Sequence, residues 1–274
     1  VYVTGITGFI GRNLLTHLSC QFQKVINFTR RGTIQIFENG VLLEQNLSLA
    51  IIKENPSKIL INLATLYEPY PKTSEALGDL IEANILFPSR VLQALSEIRD
   101  LKIINALSYH QLLDLTSQNI YSLSKELYKK YLDIQNVQVV NIYIFDTFGA
   151  GDTRNKVTDT FIKNILLGKA LTIPKNQIHI NLSDSEAISS SIMACLDQSS
   201  GDYSLRSPDT LSLESLARTL MDLLKVEVKI IKENHGINFL DLVNEFPRNI
   251  FTPPQGYDFK ESLANRINEI KNAS

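Results

Sequence analysis

Tyr121 and Lys125 are the two side chains whose types and spacing best suit acid–base chemistry in this sequence. They lie in a segment of helical periodicity, where a separation of four residues places both on one face. A free phenol has a pKa of about 10, and a nearby ammonium group favours the phenolate, which brings a tyrosine toward a useful range for proton transfer. Ser108, which follows the preceding apolar run, could hydrogen-bond a substrate carbonyl or alcohol beside Tyr121. Because such a Tyr-Lys spacing also arises by chance, its position downstream of a glycine-rich turn carries the argument.

That glycine-rich turn lies between the first apolar run and the first amphipathic segment. Glycines at this spacing permit a tight turn, a close approach of the backbone to a pyrophosphate and close packing of the helix on the strand. The start of the helix adds free N–H groups that favour phosphate. We therefore predict a dinucleotide site whose contacts include Gly5, Thr7, Gly8, Phe9, Ile10, Gly11 and Arg12.

The end of the second predicted strand indicates which dinucleotide is bound. A carboxylate at this point accepts hydrogen bonds from the adenosine ribose in NAD sites, whereas an arginine accommodates the 2′-phosphate of NADP. Here Thr29 is followed by Arg30 and Arg31, with no carboxylate, and Arg12 could join them. Paired arginines in a loop are also common as solvated surface residues, but this position favours NADP(H) over NAD(H).

Taken together, these motifs resemble the extended short-chain dehydrogenase/reductase family of nucleotide-sugar epimerases, dehydratases and ketoreductases. TGITGFIG (4–11) looks like the TGxxGxxG turn of that family, INLAT (61–65) like its fourth-strand segment, and Asn84 like the asparagine of the helix that follows. Ser108, Tyr121 and Lys125 look like its catalytic triad. The resemblance adds further expected cofactor contacts, namely Leu63, Ala64, Thr65, Asn84, Tyr121 and Lys125.

Four longer segments narrow the resemblance to the nucleotide-sugar 4-ketoreductases of the CDP-abequose and CDP-paratose synthase type. They are NILFPSR (84–90), INALSYHQ (104–111), NIYSLSK (119–125) and FDTFGAGDTRNK (145–156). The resemblance implies NADPH-dependent reduction of the C4 ketone of a nucleotide-linked 4-keto-6-deoxy or 3,6-dideoxy hexose. Such reactions serve deoxysugar and surface polysaccharide biosynthesis, including the lipopolysaccharide O-antigen. The implied substrate contacts are Ser108, Tyr109, His110, Arg154 and Lys156, the last two for the diphosphate.

Other functions stay open at this point. Family dehydratases carry an Asp-Glu pair where this chain has Tyr109 and His110, which disfavours dehydration. A nucleotide-sugar 4-epimerase of the same family would interconvert two sugars without consuming NADPH. A non-catalytic NADP-binding regulatory protein could retain the fold and use the cleft to sense the cofactor.

The elements that position these residues follow from the hydrophobic periodicity. Apolar runs alternate with amphipathic stretches through the first 145 residues, which predicts an α/β fold with a Rossmann-type doubly wound parallel sheet. We expect residues 1–150 to form the NADP-binding domain, completed by about 177–204, and residues 151–274 to form mainly a smaller C-terminal substrate-binding lobe. The predicted strands are 1–4, 24–29, 41–43, 59–64, 102–106 and 137–145, and the long helix predicted at 74–97 is kinked or broken at Pro88.

Composition sets the class of protein and of partner. The chain has 274 residues, 44% of them hydrophobic and 20% charged, which fits a globular protein with a substantial core. A net charge of −2 offers no general attraction to nucleic acid or to an anionic membrane. Neither the cysteines nor the histidines have metal-ligand spacing, so we expect no metal. We further expect a cytoplasmic enzyme, a residue or more preceding Val1 and, by resemblance, a homodimer through the helices of 74–97 and 121–134.

Overall fold

The computed structural model describes residues 1–113, 119–234 and 236–273. His235, one of the histidines considered above, lies outside these residues. The strands in these ranges are β1 (Tyr2–Thr4), β2 (Lys24–Phe28), β3 (Thr33–Glu38), β4 (Val41–Asn46), β5 (Ile59–Asn62), β6 (Lys102–Ser108), β7 (Gln138–Ile144), β8 (Asp146–Phe148), β9 (Leu171–Pro174), β10 (His179–Ile180), β11 (Leu182–Asp184), β12 (Gly201–Leu205), β13 (Leu211–Ser212), β14 (Ile230–Glu233) and β15 (Arg248–Asn249). The α-helices are α1 (Phe9–Gln21), α2 (Leu49–Glu54), α3 (Ser74–Ile81), α4 (Phe87–Ala94), α5 (Ile120–Asp133), α6 (Val157–Leu166), α7 (Ser185–Ala194), α8 (Leu213–Leu224) and α9 (Phe259–Ala273).

Nine of these strands form the central sheet, in the order β15-β12-β7-β6-β5-β1-β2-β3-β4. From β15 to β2 every neighbouring pair is parallel. The chain builds outward from β1 in both directions, so the strand order reverses between β1 and β5. In open α/β sheets the ligand crevice lies at the carboxyl ends of the strands at such a reversal. The predicted α/β class with a Rossmann-type doubly wound sheet is confirmed.

The far edge of the sheet differs from the prediction, because β3 and β4 form an antiparallel hairpin on β2. Only a short strand at 41–43 was expected there. The missed signal is the pair Asn39-Gly40 between two strands. Both residues have positive φ, 51° and 77°, as a two-residue type I′ hairpin turn requires.

Each face of the sheet is covered by helices, because successive strand residues point to opposite sides. Val3 faces the side where Leu14 of α1 and Ile188 of α7 pack, whereas its neighbour Tyr2 faces the side where Tyr128 of α5 packs. All five side chains are almost fully buried. Each such large apolar side chain contributes roughly 1.5 to 3 kcal/mol of burial free energy.

A third core holds the smaller C-terminal lobe together. Its helices α6, α8 and α9 pack through Phe161, Leu220 and Ile267 against strands β9 and β14. Arg266 of α9 is 95% buried and pairs with the buried carboxylate of Asp159. An arginine in this setting is stable only because its donors are matched by a carboxylate and further acceptors. This pair therefore fixes α9 against α6, and Arg266 also donates to the carbonyl of Asp152, in the segment before α6.

A row of polar side chains crosses the sheet from β1 to β12. The Thr4 hydroxyl donates to the Asn62 side chain (2.6 Å), which donates to Asn105 (3.0 Å). Asn105 in turn donates to Asn141 and Asn141 to Asp202, each over 3.0 Å. The row follows the strand register from β1 to β12. Because buried amides must be hydrogen-bonded, the row ties five neighbouring strands together.

The helix predicted at 74–97 is interrupted upstream of Pro88. Helix α3 ends at Ile81, a π-helical turn covers Glu82–Leu86, and α4 begins at Phe87 with Pro88 in its first turn. A proline has no N–H for the carbonyl four residues earlier and its ring crowds that carbonyl. The wider π turn accommodates this clash, and π turns are frequent at functional sites.

Candidate active site

The glycine-rich turn leads from β1 into α1 at the crevice. Gly5 has a φ of 77°, and a Cβ on it would lie 2.7 Å from the backbone nitrogen of Ala64 at the end of β5. A Cβ on Gly11 would lie 2.2 Å from the Gly5 carbonyl oxygen, so glycine alone lets α1 pack this closely on the turn. Gly8 caps α1 without any side-chain hydrogen bond. The first N–H groups of the helix, including those of Phe9 and Ile10, thus lack an intrahelical acceptor and suit a pyrophosphate.

A second loop, 149–154, lies against the glycine-rich turn. Arg12 donates to the carbonyl oxygens of Thr7 (3.1 Å) and Gly151 (2.9 Å), and the guanidinium of Arg154 lies 4.2 Å from the ring centre of Phe9. Arg12 therefore joins the two loops. This placement differs from the expected grouping with the arginines that follow β2.

Arg30 and Arg31 lie in the turn between β2 and β3, and both are exposed. The turn is closed by the hydrogen bond from the Thr29 N–H to the Thr33 carbonyl (2.9 Å). Because Thr4 of β1 is in register with Phe28 of β2, this turn lies beside the glycine-rich one. The two guanidinium groups therefore lie at the border of the crevice, beside the glycine-rich turn.

The predicted catalytic residues converge at the carboxyl end of β6. Ser108 is the last residue of β6, and Tyr121 and Lys125 lie one turn apart on α5; all three are more than 90% buried. The side chains of Ser108 and Thr65 lie near the Tyr121 hydroxyl, where their hydrogen-bonding groups lower its pKa. The Lys125 ammonium donates to the carbonyl of Ala106 in β6 (2.8 Å). The structure thus brings the three residues together.

Burial controls the protonation of this cluster. It raises the pKa of Tyr121, while the hydrogen-bonding groups of Ser108 and Thr65 and the charge of Arg154 act in the opposite direction. Burial also lowers the pKa of Lys125 to about 7. Tyr121 is therefore protonated at neutral pH and can act as a proton donor.

Asn84, in the π turn, is hydrogen-bonded to the segment after β5 and to α5. Its carbonyl oxygen accepts hydrogen bonds from the Leu66 N–H (2.7 Å) and the Thr65 hydroxyl (3.2 Å). Its amide donates to the Leu66 carbonyl (3.1 Å) and to the Ser124 hydroxyl on α5 (2.9 Å). These hydrogen-bond partners are all protein groups. Asn84 therefore holds the segment after β5 and ties α5 to it. Leu63 and Ala64 of that segment are held by hydrogen bonds from their N–H groups to Thr4.

An aromatic wall lines the crevice next to Tyr121. Tyr67 packs edge-on against Tyr121, with ring centres 4.9 Å apart, and lies 6.4 Å from His110. His110 stacks on Tyr109 at 4.4 Å, and Tyr109 stacks on Phe145 at 4.9 Å. Burial lowers the pKa of His110 to about 4, with a further contribution from the nearby charge of Lys156, so His110 is neutral at pH 7. Tyr67 is 46% exposed, whereas Tyr109 and Phe145 are buried, so Tyr67 is the ring of this group that is open to the apolar face of a sugar.

Sequence reasoning missed Tyr67 and Asp146. Asp146 begins β8, directly after the apolar strand β7, and a polar residue at that point was the available signal. Burial raises the pKa of Asp146 to about 6, opposed by the charges of Lys156 and Arg154 and by a hydrogen bond with Tyr109. The Lys156 ammonium lies 4.5 Å from the ring centre of Tyr67.

Arg154, predicted to contact a substrate diphosphate, directs most of its donors into the protein. Its Nε and Nη2 contact the two carboxylate oxygens of Asp152 (2.8 and 2.7 Å), and Nη2 also donates to the Thr147 carbonyl (2.9 Å). The cause is the carboxylate two residues earlier, which forms a bidentate pair with the guanidinium. Lys156 is the predicted diphosphate contact that points toward the aromatic wall.

The described part of the chain lacks a metal-binding cluster and a membrane-spanning helix. No group of three or more His, Cys, Asp or Glu side chains there is arranged to hold a metal ion. No helix within those residues is long and apolar enough to cross a bilayer.

Two curated proteins are similar to this chain in sequence. A CDP-abequose synthase from Yersinia pseudotuberculosis is 22% identical over 247 residues, covering 86% of this chain and 85% of that protein. A CDP-abequose synthase from Salmonella typhimurium is 25% identical over 167 residues, covering 57% of this chain and 56% of that protein.

Solved structures share the whole fold. A UDP-N-acetylglucosamine 4-epimerase from Methanobrevibacter ruminantium aligns with a TM-score of 0.73 at 18% identity, covering 100% of this chain and 98% of the other. RMD from Pseudomonas aeruginosa, complexed with NADPH, aligns with a TM-score of 0.70 at 16% identity, covering 100% and 99%. The model of the NAD dependent epimerase/dehydratase family matches residues 1–180, about two thirds of the chain. The chain belongs to the NAD dependent epimerase/dehydratase family.

Proposed function

We propose that this enzyme uses NADPH to reduce the C4 ketone of a nucleotide-linked 4-keto-6-deoxy or 3,6-dideoxy hexose in the cytoplasm. The observation that carries the proposal is the buried cluster of Ser108, Tyr121 and Lys125 beside a glycine-rich turn fit for a dinucleotide. The names of the two curated relatives, both CDP-abequose synthases, support a CDP-linked deoxysugar as the substrate. The place of the reaction is deoxysugar and surface polysaccharide biosynthesis.

The residues of the crevice fit the cofactor. The pyrophosphate would bind at the start of α1 near Gly8, Phe9 and Ile10, where a glycine cap leaves N–H groups free. Lys125 would bind the nicotinamide ribose. NADPH supplies the hydride that reaches C4.

The protein provides the proton and the orientation. Tyr121, protonated at neutral pH, donates its proton to the carbonyl oxygen as that oxygen gains negative charge. The Ser108 hydroxyl donates a hydrogen bond to the same oxygen and orients the ketone. Tyr121→Phe should abolish turnover while leaving the dissociation constant of NADPH within about twofold. Turnover retained by this variant removes Tyr121 from the mechanism.

Arg30 and Arg31 support the choice of NADP(H) over NAD(H). Arg30→Ala should weaken NADPH binding roughly tenfold or more, because it removes a charge-assisted bond to the 2′-phosphate. The same substitution should leave NADH binding unchanged, and Arg99→Ala, at another exposed arginine, is the matched control. Equal binding of NADH and NADPH by the natural protein, unaltered in Arg30→Ala, contradicts the assignment.

The sugar would lie on the aromatic wall, contacting Ser108, Tyr109 and His110, with Lys156 toward the diphosphate. In this arrangement residues 1–150 and 177–204 bind the cofactor, and residues 151–274 supply mainly the substrate lobe. A 4-epimerase would interconvert its sugars with no net use of NADPH, so a stoichiometric loss of absorbance at 340 nm with a 4-keto substrate separates the two activities. A non-catalytic regulator would bind NADPH and show neither reaction.

We further propose a homodimer through α5 and the α3–α4 segment. Leu86, Leu123 and Leu127 on these elements are 45 to 56% exposed. Apolar side chains grouped on two neighbouring helices suit a helix-packed interface. Light scattering should give a dimeric mass for the natural protein and a monomeric mass for Leu127→Glu; a monomer in both contradicts the interface.

A further inference from the structure

Arg206 lies at the carboxyl edge of the sheet without having been assigned to any part of the site. It directly follows β12, and the register pairs Leu205 of β12 with Ile144 of β7. Arg206 is therefore next to Phe145, the residue that follows Ile144. Because the carboxyl ends of parallel strands share one edge, Arg206 borders the same crevice as the aromatic wall.

The guanidinium of Arg206 is oriented by an aromatic ring. Its central carbon lies 4.3 Å from the ring centre of Phe246. The ring of Phe246 lies 5.8 Å from that of Phe145, which stacks on Tyr109. Arg206 thus stands at the end of a continuous row of rings that leads, through Tyr109 and His110, toward the proton donor Tyr121.

One donor of this guanidinium lacks an acceptor. The Nε of Arg206 is buried and has no hydrogen-bond partner within the described ranges. A buried donor without an acceptor costs free energy, and more so when it is charged. A guanidinium stacked on a ring lies parallel to that ring, and its N–H groups point outward in its own plane. Two of them can there meet two oxygens of a phosphate.

The other cations of the crevice are less available. The Arg154 guanidinium is bonded to Asp152 and Thr147, and Arg12 to two backbone carbonyls. Lys156 offers a single ammonium, which lies over Tyr67. A diphosphate bound to a sugar on the aromatic wall needs a planar cation at the end of the wall away from Tyr121, which is the place that Arg206 occupies.

We propose that Arg206 binds the diphosphate of the substrate, held in place by Phe246. The proposal rests on the nucleotide-sugar substrate inferred above and names the residue that recognises its anionic part. It replaces Arg154, whose donors are directed inward, as the arginine for this role. Phe246 acts as a positioning residue, since it orients the guanidinium.

Isothermal titration of CDP, UDP, dTDP and GDP into the full-length protein tests the proposal. Arg206→Met keeps a side chain of similar length on Phe246 but removes the charge, and Arg206→Lys keeps the charge without the planar fork. For the nucleotide that binds, Arg206→Met should raise the dissociation constant roughly 10- to 100-fold and Arg206→Lys by less. NADPH binding should stay within twofold in both variants, which a fold defect would not allow. Arg248→Ala, at an exposed arginine of the neighbouring strand β15, should bind both ligands like the natural protein.

The outcomes separate this proposal from the proposed function. A natural protein that binds one diphosphate, with equal affinity in Arg206→Met, overturns the role of Arg206 and leaves the substrate class intact. Loss of NADPH binding in both variants shows a structural role and likewise overturns the proposal. A natural protein that binds none of the four diphosphates contradicts the nucleotide-sugar substrate itself, and the role of Arg206 with it.

Discussion

Replacing Lys125 by methionine should make the cofactor-free protein more stable and inactive at the same time. The Lys125 side chain is 95% buried, and its ammonium has the Ala106 carbonyl as a partner. Burial lowers its pKa from 10.5 to about 7. A lysine whose pKa is lower in the folded than in the unfolded state binds fewer protons on folding, so stability rises with pH between the two values and is lost as pH falls toward the lower one.

The size of the effect follows from the two pKa values. At about 1.36 kcal/mol for each pH unit, burying Lys125 costs roughly 4 kcal/mol at pH 7 and roughly 1 kcal/mol at pH 10. Methionine fills a similar volume without charge but loses the hydrogen bond to Ala106, worth about 1 kcal/mol. The free energy of unfolding of Lys125→Met should therefore exceed that of the natural protein by roughly 3 kcal/mol at pH 7, and the two should be nearly equal at pH 10.

Urea denaturation at several pH values between 7 and 10, without NADPH, measures this difference. NADPH added at saturation should stabilise the natural protein by mass action and the variant much less, since the variant lacks the ammonium for the nicotinamide ribose. Lys129→Met, one turn further along α5, is the matched control, because the Lys129 ammonium pairs with Asp202 and its loss should destabilise the protein. If Lys125→Met and the natural protein have the same free energy of unfolding at pH 7, or differ by the same amount from pH 7 to 10, the lowered pKa of Lys125 is wrong.

Three further predictions concern the framework of the site. Gly11→Ala should destabilise the protein by about 3 kcal/mol and abolish NADPH binding, because its Cβ would lie 2.2 Å from a backbone oxygen. Gly78→Ala is the control: a Cβ there meets no atom within 4 Å, so it should stabilise helix α3 by about 0.5 to 1 kcal/mol. Thermal unfolding with and without NADPH compares the two variants. Asn105→Ala should lower the free energy of unfolding by about 2 to 4 kcal/mol in urea denaturation, since the amide N–H of Asn62 loses its acceptor and the side-chain oxygen of Asn141 loses its donor. A loss below about 1 kcal/mol would show that the row is unimportant. The raised pKa of Asp146 makes the folded state bind a proton at a higher pH than the unfolded state, so the free energy of unfolding should rise as pH falls from about 6 to 4. Asp146→Asn should remove this rise. An unchanged dependence of stability on pH in the variant would contradict that pKa.

Much of the fold could be predicted because each parallel strand and each amphipathic helix carries its own periodicity. The catalytic cluster could be predicted because Tyr121 and Lys125 are neighbours on one helix and Ser108 ends the preceding strand. The hairpin at the sheet edge was missed although Asn39-Gly40 signals a tight turn, since a single parallel strand was expected there.

Contacts between distant segments could not be predicted in the same way. Tyr67 meets Tyr121, and Arg206 meets Phe246, only because the folded sheet and lobe place their loops side by side. The internal bonding of Arg154 was accessible from the sequence, because Asp152 lies two residues before it and can form a bidentate pair. The π turn before Pro88 depends on how α3, α4 and α5 pack, which local propensity does not determine.

In the proposed reaction, hydride passes from NADPH to C4 of a nucleotide-linked ketosugar while Tyr121 supplies the proton. Its most direct test is single-turnover reduction of a CDP-linked 4-keto-3,6-dideoxyhexose with NADPH deuterated at nicotinamide C4, with mass and NMR analysis of the sugar. We expect one deuterium at C4 of the product for each NADPH oxidised, and no transfer by Tyr121→Phe. Interconversion of sugars without net oxidation of NADPH, or a product without deuterium at C4, would contradict it.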